Sequence, residues 1–216
     1  GGYYMGVDSN VIDGEKGLFL FDSEIGQAYF KDMKFMMNYA MENRIIMLDI
    51  ICDKVLSKVF GKKWMSFIVT ELSDYNNEDI VDTVHNYALH TEEGILHRKG
   101  AISACMGELG VIPSNMQHGT YFVVGTGNME YLYSASHGAG RKMSRSKARK
   151  TIEHSTFVEQ MSGIVSSTDV ALIDEAPDAY KNPKRVMELQ DGININILDH
   201  ITPVLNIKGS SSRFRK

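Results

Sequence analysis

From about Ile80 to Gly127 the chain is a series of short apolar runs, DIVDTVHNYALHT, GILHRKGAIS and GVIPSNMQHGTYFVVGTG, each broken by Gly, Asn or Pro. Runs of that length with turn-forming residues between them read as strands joined by loops. The middle of the chain is therefore expected to be a sheet with long loops. Upstream the pattern changes. In FDSEIGQAYFKDMKFMMNYAMENR, Asp22 or Ser23 is a candidate N-cap, and Ile25, Tyr29, Met33, Met36, Met37 and Ala40 recur at helical spacing, so residues 22–60 read as helix. The methionines on that face are read as core filler. Further strands are expected in KWMSFIVTEL, EYLYSAS and ITPVLNIKG. Further helices are expected in SRSKARKTIEH, starting near Ser144, and in NPKRVMELQ, with Pro183 in its first turn. Helices and strands mix without a βαβ rhythm, so the fold class is α+β with mixed sheets and flanking helices.

At 216 residues one large domain accommodates the chain. Residues 1–209 are read as a single domain and 210–216, SSSRFRK, as a basic mobile tail. Lys+Arg total 23 against 27 Asp+Glu, a net charge of −4, so a polyanion would have to be met by a local patch. Such a patch exists: six of the ten residues from Arg141 to Lys150 are basic. Cys52 and Cys105 are too few for a disulfide framework and lack metal-ligand spacing. The apolar run RIIMLDIICDKVL is too short and too charged to span a bilayer, and Gly1–Met5 carries no secretory signal. The expectation is a soluble cytoplasmic protein without a membrane partner.

The basic patch follows SASHGAGR. Gly138 and Gly140 flank Ala139, so the backbone can take positive φ and bring N–H groups close to an anion, with the N-terminal end of a helix just downstream. His137 at the mouth of that loop can act as acid, base, metal ligand or nucleophile toward phosphorus. The same residues fit a glycine turn with a surface histidine and a solvated helix face, and short glycine motifs recur by chance. The loop is not a P-loop, since GxxxxGK(S/T) occurs nowhere.

Four further stretches bear on the choice. VHNYALH (84–90), LHRKGA (96–101), DEAPDAYK (174–181) and IKG (207–209), taken in order with SHGAGRKMSRSKA (136–148), resemble the RtcB family of RNA ligases. The helix of residues 21–44 resembles one that the family carries ahead of these motifs, so the likeness extends over about residues 18–209.

The resemblance implies an enzyme that uses GTP and Mn²⁺. It would join RNA ending in a 2′,3′-cyclic phosphate or 3′-phosphate to RNA beginning with a 5′-hydroxyl, through a histidine–GMP adduct. His137 then matches the nucleophile, and Gly138, Ala139, Gly140 and Arg141 match the loop that holds the guanylate. Arg145 matches an anion ligand, and a guanidinium fork suits phosphate. His85 of VHN matches a Mn²⁺ ligand, which needs harder carboxylate or water ligands beside it. Tyr180 matches a tyrosine stacked on guanine and Lys208 a lysine at the guanine edge. His97, Arg98 and Lys99 of HRKGA fall in a loop expected to face phosphate.

Two departures qualify the match. Where the family has GSMGTxSY, this chain has SNMQHGTY, so Asn115 and Thr120 stand in place of two serines that contact the guanylate. His118 is an additional histidine in that loop. The family's remaining metal-binding motifs, including one like GNHF, do not occur in this sequence. A second chain supplying those ligands, a longer parent protein, and a degenerate relative that binds RNA without ligating it are all compatible with that.

Overall fold

The computed structural model describes residues 20–61 and 81–209. The chain divides into two compact units, Gly1–Ile80 with Tyr87–His97, and Val81–Asn86 with Arg98–Lys216. The strand expected in KWMSFIVTEL and the tail 210–216 lie outside the described residues.

In the first unit, helix α1 (Glu24–Ile51) begins where Ser23 caps it, its hydroxyl accepting from the Gly26 N–H at 3.1 Å. The helical run continues through a π-turn at Cys52–Leu56 and a short α2 (Ser57–Phe60), ending at Gly61 with φ +66°. The helix expected over 22–60 is thus present nearly end to end. Strands β1 (Asn86–Thr91) and β2 (Gly94–Lys99) pair with each other. Within this unit Phe21 meets the Phe30 ring edge-on at 4.9 Å and the His90 ring at 4.8 Å, and Met33 Sδ accepts from the Ala88 N–H at 3.1 Å. Met33 therefore packs as expected. Met36 does not: it is 55% exposed, and Gly26 is the one buried residue of α1. An apolar helical period states which residues share a face, and Ile25, Tyr29, Met33, Met37 and Ala40 on that face are each half-buried.

The second unit is built on three antiparallel strands in the order β4 (Leu109–Pro113), β5 (Thr120–Gly125), β7 (Ile195–Ile201). Strand β5 alternates half-buried and buried positions along its length, the period of a sheet with one covered face. A smaller pair, β3 (Ala101–Ser103) with β6 (Ser134–Ser136), sets Ile102 opposite Ala135. One core cluster joins Ile102, Ile112, Val123, Ile195 and Met187. Another gathers Met116, Phe157, Met161, Leu172 and Ile173. The helices are α3 (Arg145–Thr151), α4 (His154–Gln160) and α5 (Pro183–Glu188), with 3₁₀ turns at Met129–Tyr131, Val170–Glu175 and Pro177–Ala179. The α+β expectation holds.

Two expected strands are corrected. In EYLYSAS only Ser134–Ser136 is extended. Asn128 caps a 3₁₀ turn upstream, and Leu132 and Tyr133 follow at φ 51° and 50°, which no strand tolerates. The closing strand lies earlier than ITPVLNIKG: β7 ends at Ile201, and the run beyond it makes only an isolated bridge between Leu205 and Val165. Pro203, with no N–H to give, sits at the point where the ladder stops.

Candidate functional site

Strand β2 leads into Lys99–Gly100, and β6 leads into His137. Gly100 joins the two regions through the backbone: its N–H donates to the His85 carbonyl at 2.8 Å, and its carbonyl accepts from the His137 N–H at 3.0 Å. Gly100 has φ +69°, a conformation for which glycine is the natural residue. Asn86 secures the same corner, its side-chain oxygen accepting from the Gly100 N–H and from Lys99 Nζ. With both backbones held there, the imidazoles of His85 and His137 stack at 3.6 Å between centroids and 5° between planes. Burial, and then the neighbouring His85, lowers the His137 pKa, which favours a neutral ring with a lone pair to give.

The HGAGR loop is laced to DAYK. Lys181 N–H donates to the Gly140 carbonyl at 2.9 Å and Lys142 N–H to the Ala179 carbonyl at 3.0 Å, with Arg141 and Tyr180 bridged between them. Ala139 is buried and Gly140 takes φ +71°. A Cβ at Gly138 would come within 2.8 Å of the Pro113 carbonyl oxygen, so the loop passes against the end of β4.

Pro113 is also part of the wall of a cavity of about 310 Å³. Asn115, Thr120, Glu175, Tyr180, Asn206 and Lys208 line it with polar groups from three distant parts of the sequence. Its volume lies at the lower end of the range for small-molecule sites, and a few convergent polar groups in a concave wall are what such sites present. The β4–β5 loop that forms one side is shaped by Asn115, whose side-chain oxygen accepts from the N–H groups of Gln117 and His118 at 3.0 and 2.9 Å. Asn206 fixes the opposite side by donating to the Met116 carbonyl at 2.8 Å.

The arginines behind His137 are held by two acids. Arg141 donates through both terminal nitrogens to the Asp174 carbonyl oxygen, and its guanidinium lies 4.9 Å from the centre of the Tyr180 ring. Arg145 reaches the Asp174 carboxylate at 2.8 Å and Glu175 at 2.6 Å, and Arg149 reaches Asp174 at 3.2 Å. The Tyr180 hydroxyl donates to Glu175 at 2.5 Å. Burial would push both carboxyls up. At Glu175 the Tyr180 hydrogen bond and the Arg145 and Arg141 charges outweigh that; at Asp174 the hydrogen bonds from Arg145 and Arg149 do. Both acids therefore end below the usual range. Burial first, and then the hydrogen bond to Glu175, pushes the Tyr180 phenol up to about 12.

Of the residues singled out by sequence, Asn115, Thr120, Tyr180 and Lys208 line one cavity, and His85 and His137 form one stack. Arg98 lies elsewhere in chemical terms. It is 5% exposed and donates to the Ser134 hydroxyl and the Tyr133 carbonyl, both at 2.9 Å, so it braces the left-handed Leu132–Tyr133 turn instead of facing phosphate. Lys99 and His97 are exposed. Asn86, Asp174, Glu175 and Asn206 were not singled out; the one signal was the placing of two acids in the otherwise apolar DEAP stretch. Among the described residues no three His, Cys, Asp or Glu gather as a metal site would require, so these residues alone do not fit a manganese ion. Nor is any helix among them long and apolar enough to cross a membrane.

Residues 6–209 match the family described as tRNA-splicing ligase RtcB. The chain belongs to the RtcB family. It is 37% identical to the RNA-splicing ligase RtcB of Escherichia coli over 58% of this chain and 31% of that protein. It is 34% identical to RNA-splicing ligase RtcB homolog 2 of Entamoeba dispar, over 88% of this chain and 40% of that protein. It is 30% identical to the tRNA-splicing ligase RtcB of Nanoarchaeum equitans, over 88% of this chain and 44% of that protein. The chain thus spans 31% to 44% of the length of these RtcB relatives.

Proposed function

We propose that this chain carries the nucleotidyl-transfer part of an RNA ligase, with His137 as the nucleophile that takes GMP from GTP. The observation that carries this reading is the His137 ring: stacked on His85, lowered in pKa, and set in a glycine loop that abuts a cavity of about 310 Å³ with polar groups in its wall. In the proposed sequence a His137 ring nitrogen attacks the α-phosphorus of GTP. A nitrogen–phosphorus bond forms, the bond to the β-phosphate oxygen breaks, and pyrophosphate leaves. An oxygen of an RNA 3′-phosphate then displaces the imidazole. Finally the 5′-hydroxyl of a second RNA attacks the activated 3′-phosphate, releasing GMP and giving up its proton. RNA ends bearing 2′,3′-cyclic phosphate would enter after opening to the 3′-phosphate.

Asn115, Thr120, Tyr180 and Lys208 are assigned to the guanylate, because they share the cavity wall. Arg141 and Arg145 are assigned to phosphate, because guanidinium donors suit it and both stand beside the loop of His137. Manganese has no place in these steps as drawn from the described residues. An ion at His85 would take its other ligands from elsewhere, a second chain included.

The test is to incubate the protein with α-³²P-GTP and Mn²⁺ and to follow label on the polypeptide. Retained label that is acid-labile and alkali-stable, and absent from His137→Ala, is expected. A His137→Ala protein that labels equally would overturn the assignment. A wild-type protein that stays unlabelled would overturn ligation by this chain alone.

A further inference from the structure

Asp174 and Glu175 carry no role in the reading above, yet they contact three of the arginines that follow His137. The Asp174 side chain is 3% exposed, while those of Arg145 and Arg149 are 62% and 58% exposed. The acid is therefore the fixed point and the arginines are arranged around it. One Arg145 nitrogen, Nη1, meets both carboxylates, so its other donors stay available on an exposed side chain. Arg141 is gripped by the Asp174 main chain, and Tyr180 by Glu175. Two adjacent acids in one 3₁₀ turn thus set the directions of Arg141, Arg145, Arg149 and Tyr180 together.

We propose that Asp174 and Glu175 are positioning residues, which hold Arg141 and Arg145 as a preformed receptor for the phosphates of the nucleotide and fix the Tyr180 ring beside it. The inference rests on the nucleotidyl-transfer reading of the His137 loop. A long arginine side chain left free loses rotamer entropy whenever it binds an anion, and a fork already held in place loses less. The acids exact a cost in electrostatics, since a carboxylate near a phosphate repels it. That conflict makes the proposal testable by sign. If charge alone mattered, neutralising Asp174 would tighten anion binding. If position matters, it weakens binding.

The experiment titrates GTP and, separately, inorganic tripolyphosphate onto the wild type, Asp174→Asn, Arg145→Ala and the double variant at low salt, followed by calorimetry after folding is checked by circular dichroism. Asp174→Asn should weaken both ligands by about tenfold, and should weaken them less than twofold in the Arg145→Ala background, because it acts through that arginine. Unchanged or tighter binding in Asp174→Asn, or the full loss repeated in the Arg145→Ala background, would overturn the proposal. A purely stabilising role would lower the melting temperature and leave affinity alone. Should Asp174→Asn not fold, Glu175→Gln takes its place: unchanged or tighter binding would overturn the proposal, and because Glu175 also reaches Arg141 and Tyr180 only part of its effect should vanish in the Arg145→Ala background. A wild type that binds neither GTP nor tripolyphosphate would remove the nucleotidyl-transfer reading as well. A wild type that binds both, with variants that match it, would remove only this inference.

Discussion

Burial moves His137 and Tyr180 in opposite directions, and both results favour the neutral side chain. For Tyr180 the consequence can be measured. Its folded pKa of about 12 lies above the ordinary tyrosine value of about 10. The folded state therefore holds this proton more tightly than the unfolded chain. The stability so gained is complete below pH 10, roughly, and is lost as pH rises through about 12. Absorbance at alkaline pH should show a late phenolate step that is missing in Tyr180→Phe, and in Glu175→Gln that step should move toward the ordinary tyrosine value. A Tyr180→Phe curve that keeps the late step would assign it to another tyrosine. Individual candidate residues were legible through family resemblance because each sits in a short motif: HGAGR, VHN, AYK and IKG point to His137, His85, Tyr180 and Lys208. What the motifs did not disclose is that Arg145 faces acids about thirty residues on, since pairing across that distance is created only by folding.

Among the elements, the β4–β5 hairpin shows how a turn places the site. Gly119 closes the loop at φ +79°, its N–H donates to the Asn115 carbonyl, and a Cβ on it would collide with the Ile201 carbonyl oxygen of β7. Gly119→Ala therefore meets both backbone strain and a clash, and should cost about 3 kcal/mol. Gly140 at φ +71° has open space where a Cβ would go. Gly140→Ala should cost only the conformational penalty, about 1 kcal/mol. Urea denaturation of the two variants checks the order, and equal losses would contradict the steric argument. Elements that begin with a local cap were the ones the sequence made plain. Ser144 accepts from the Lys147 N–H to start α3, and Asn182 accepts from the Arg185 N–H to start α5 ahead of Pro183. Strand β7 was placed too late because its exposed residues, Asn196, Leu198 and Ile201 among them, hide the alternation that marks a half-covered strand.

Across the whole molecule, protection is expected to be uneven. The β4–β5–β7 sheet brings together Ile112, Val123 and Ile195, each 1% exposed or less. Residues 41–51 of α1 are exposed throughout, Leu48 at 60%. Amide exchange followed by mass spectrometry should leave peptides from Thr120–Gly125 and Ile195–Ile201 protected longest, and should label those from residues 41–51 first. Equal protection would mean that the apolar face of α1 is covered in solution. Net charge gave no hint of the site, because a balance of −4 averages over the chain, whereas the arginines and their acids are brought together only in the folded second unit.

Gly100 works as a caliper. One jaw is its N–H, closed on the His85 carbonyl just ahead of β1; the other is its carbonyl, closed on the His137 N–H just after β6. Between the jaws lie only two torsions about a single α-carbon, so the span between the two histidine backbones is gauged at one residue, with Asn86 steadying it. The surrounding core can relax by small amounts without resetting that gauge.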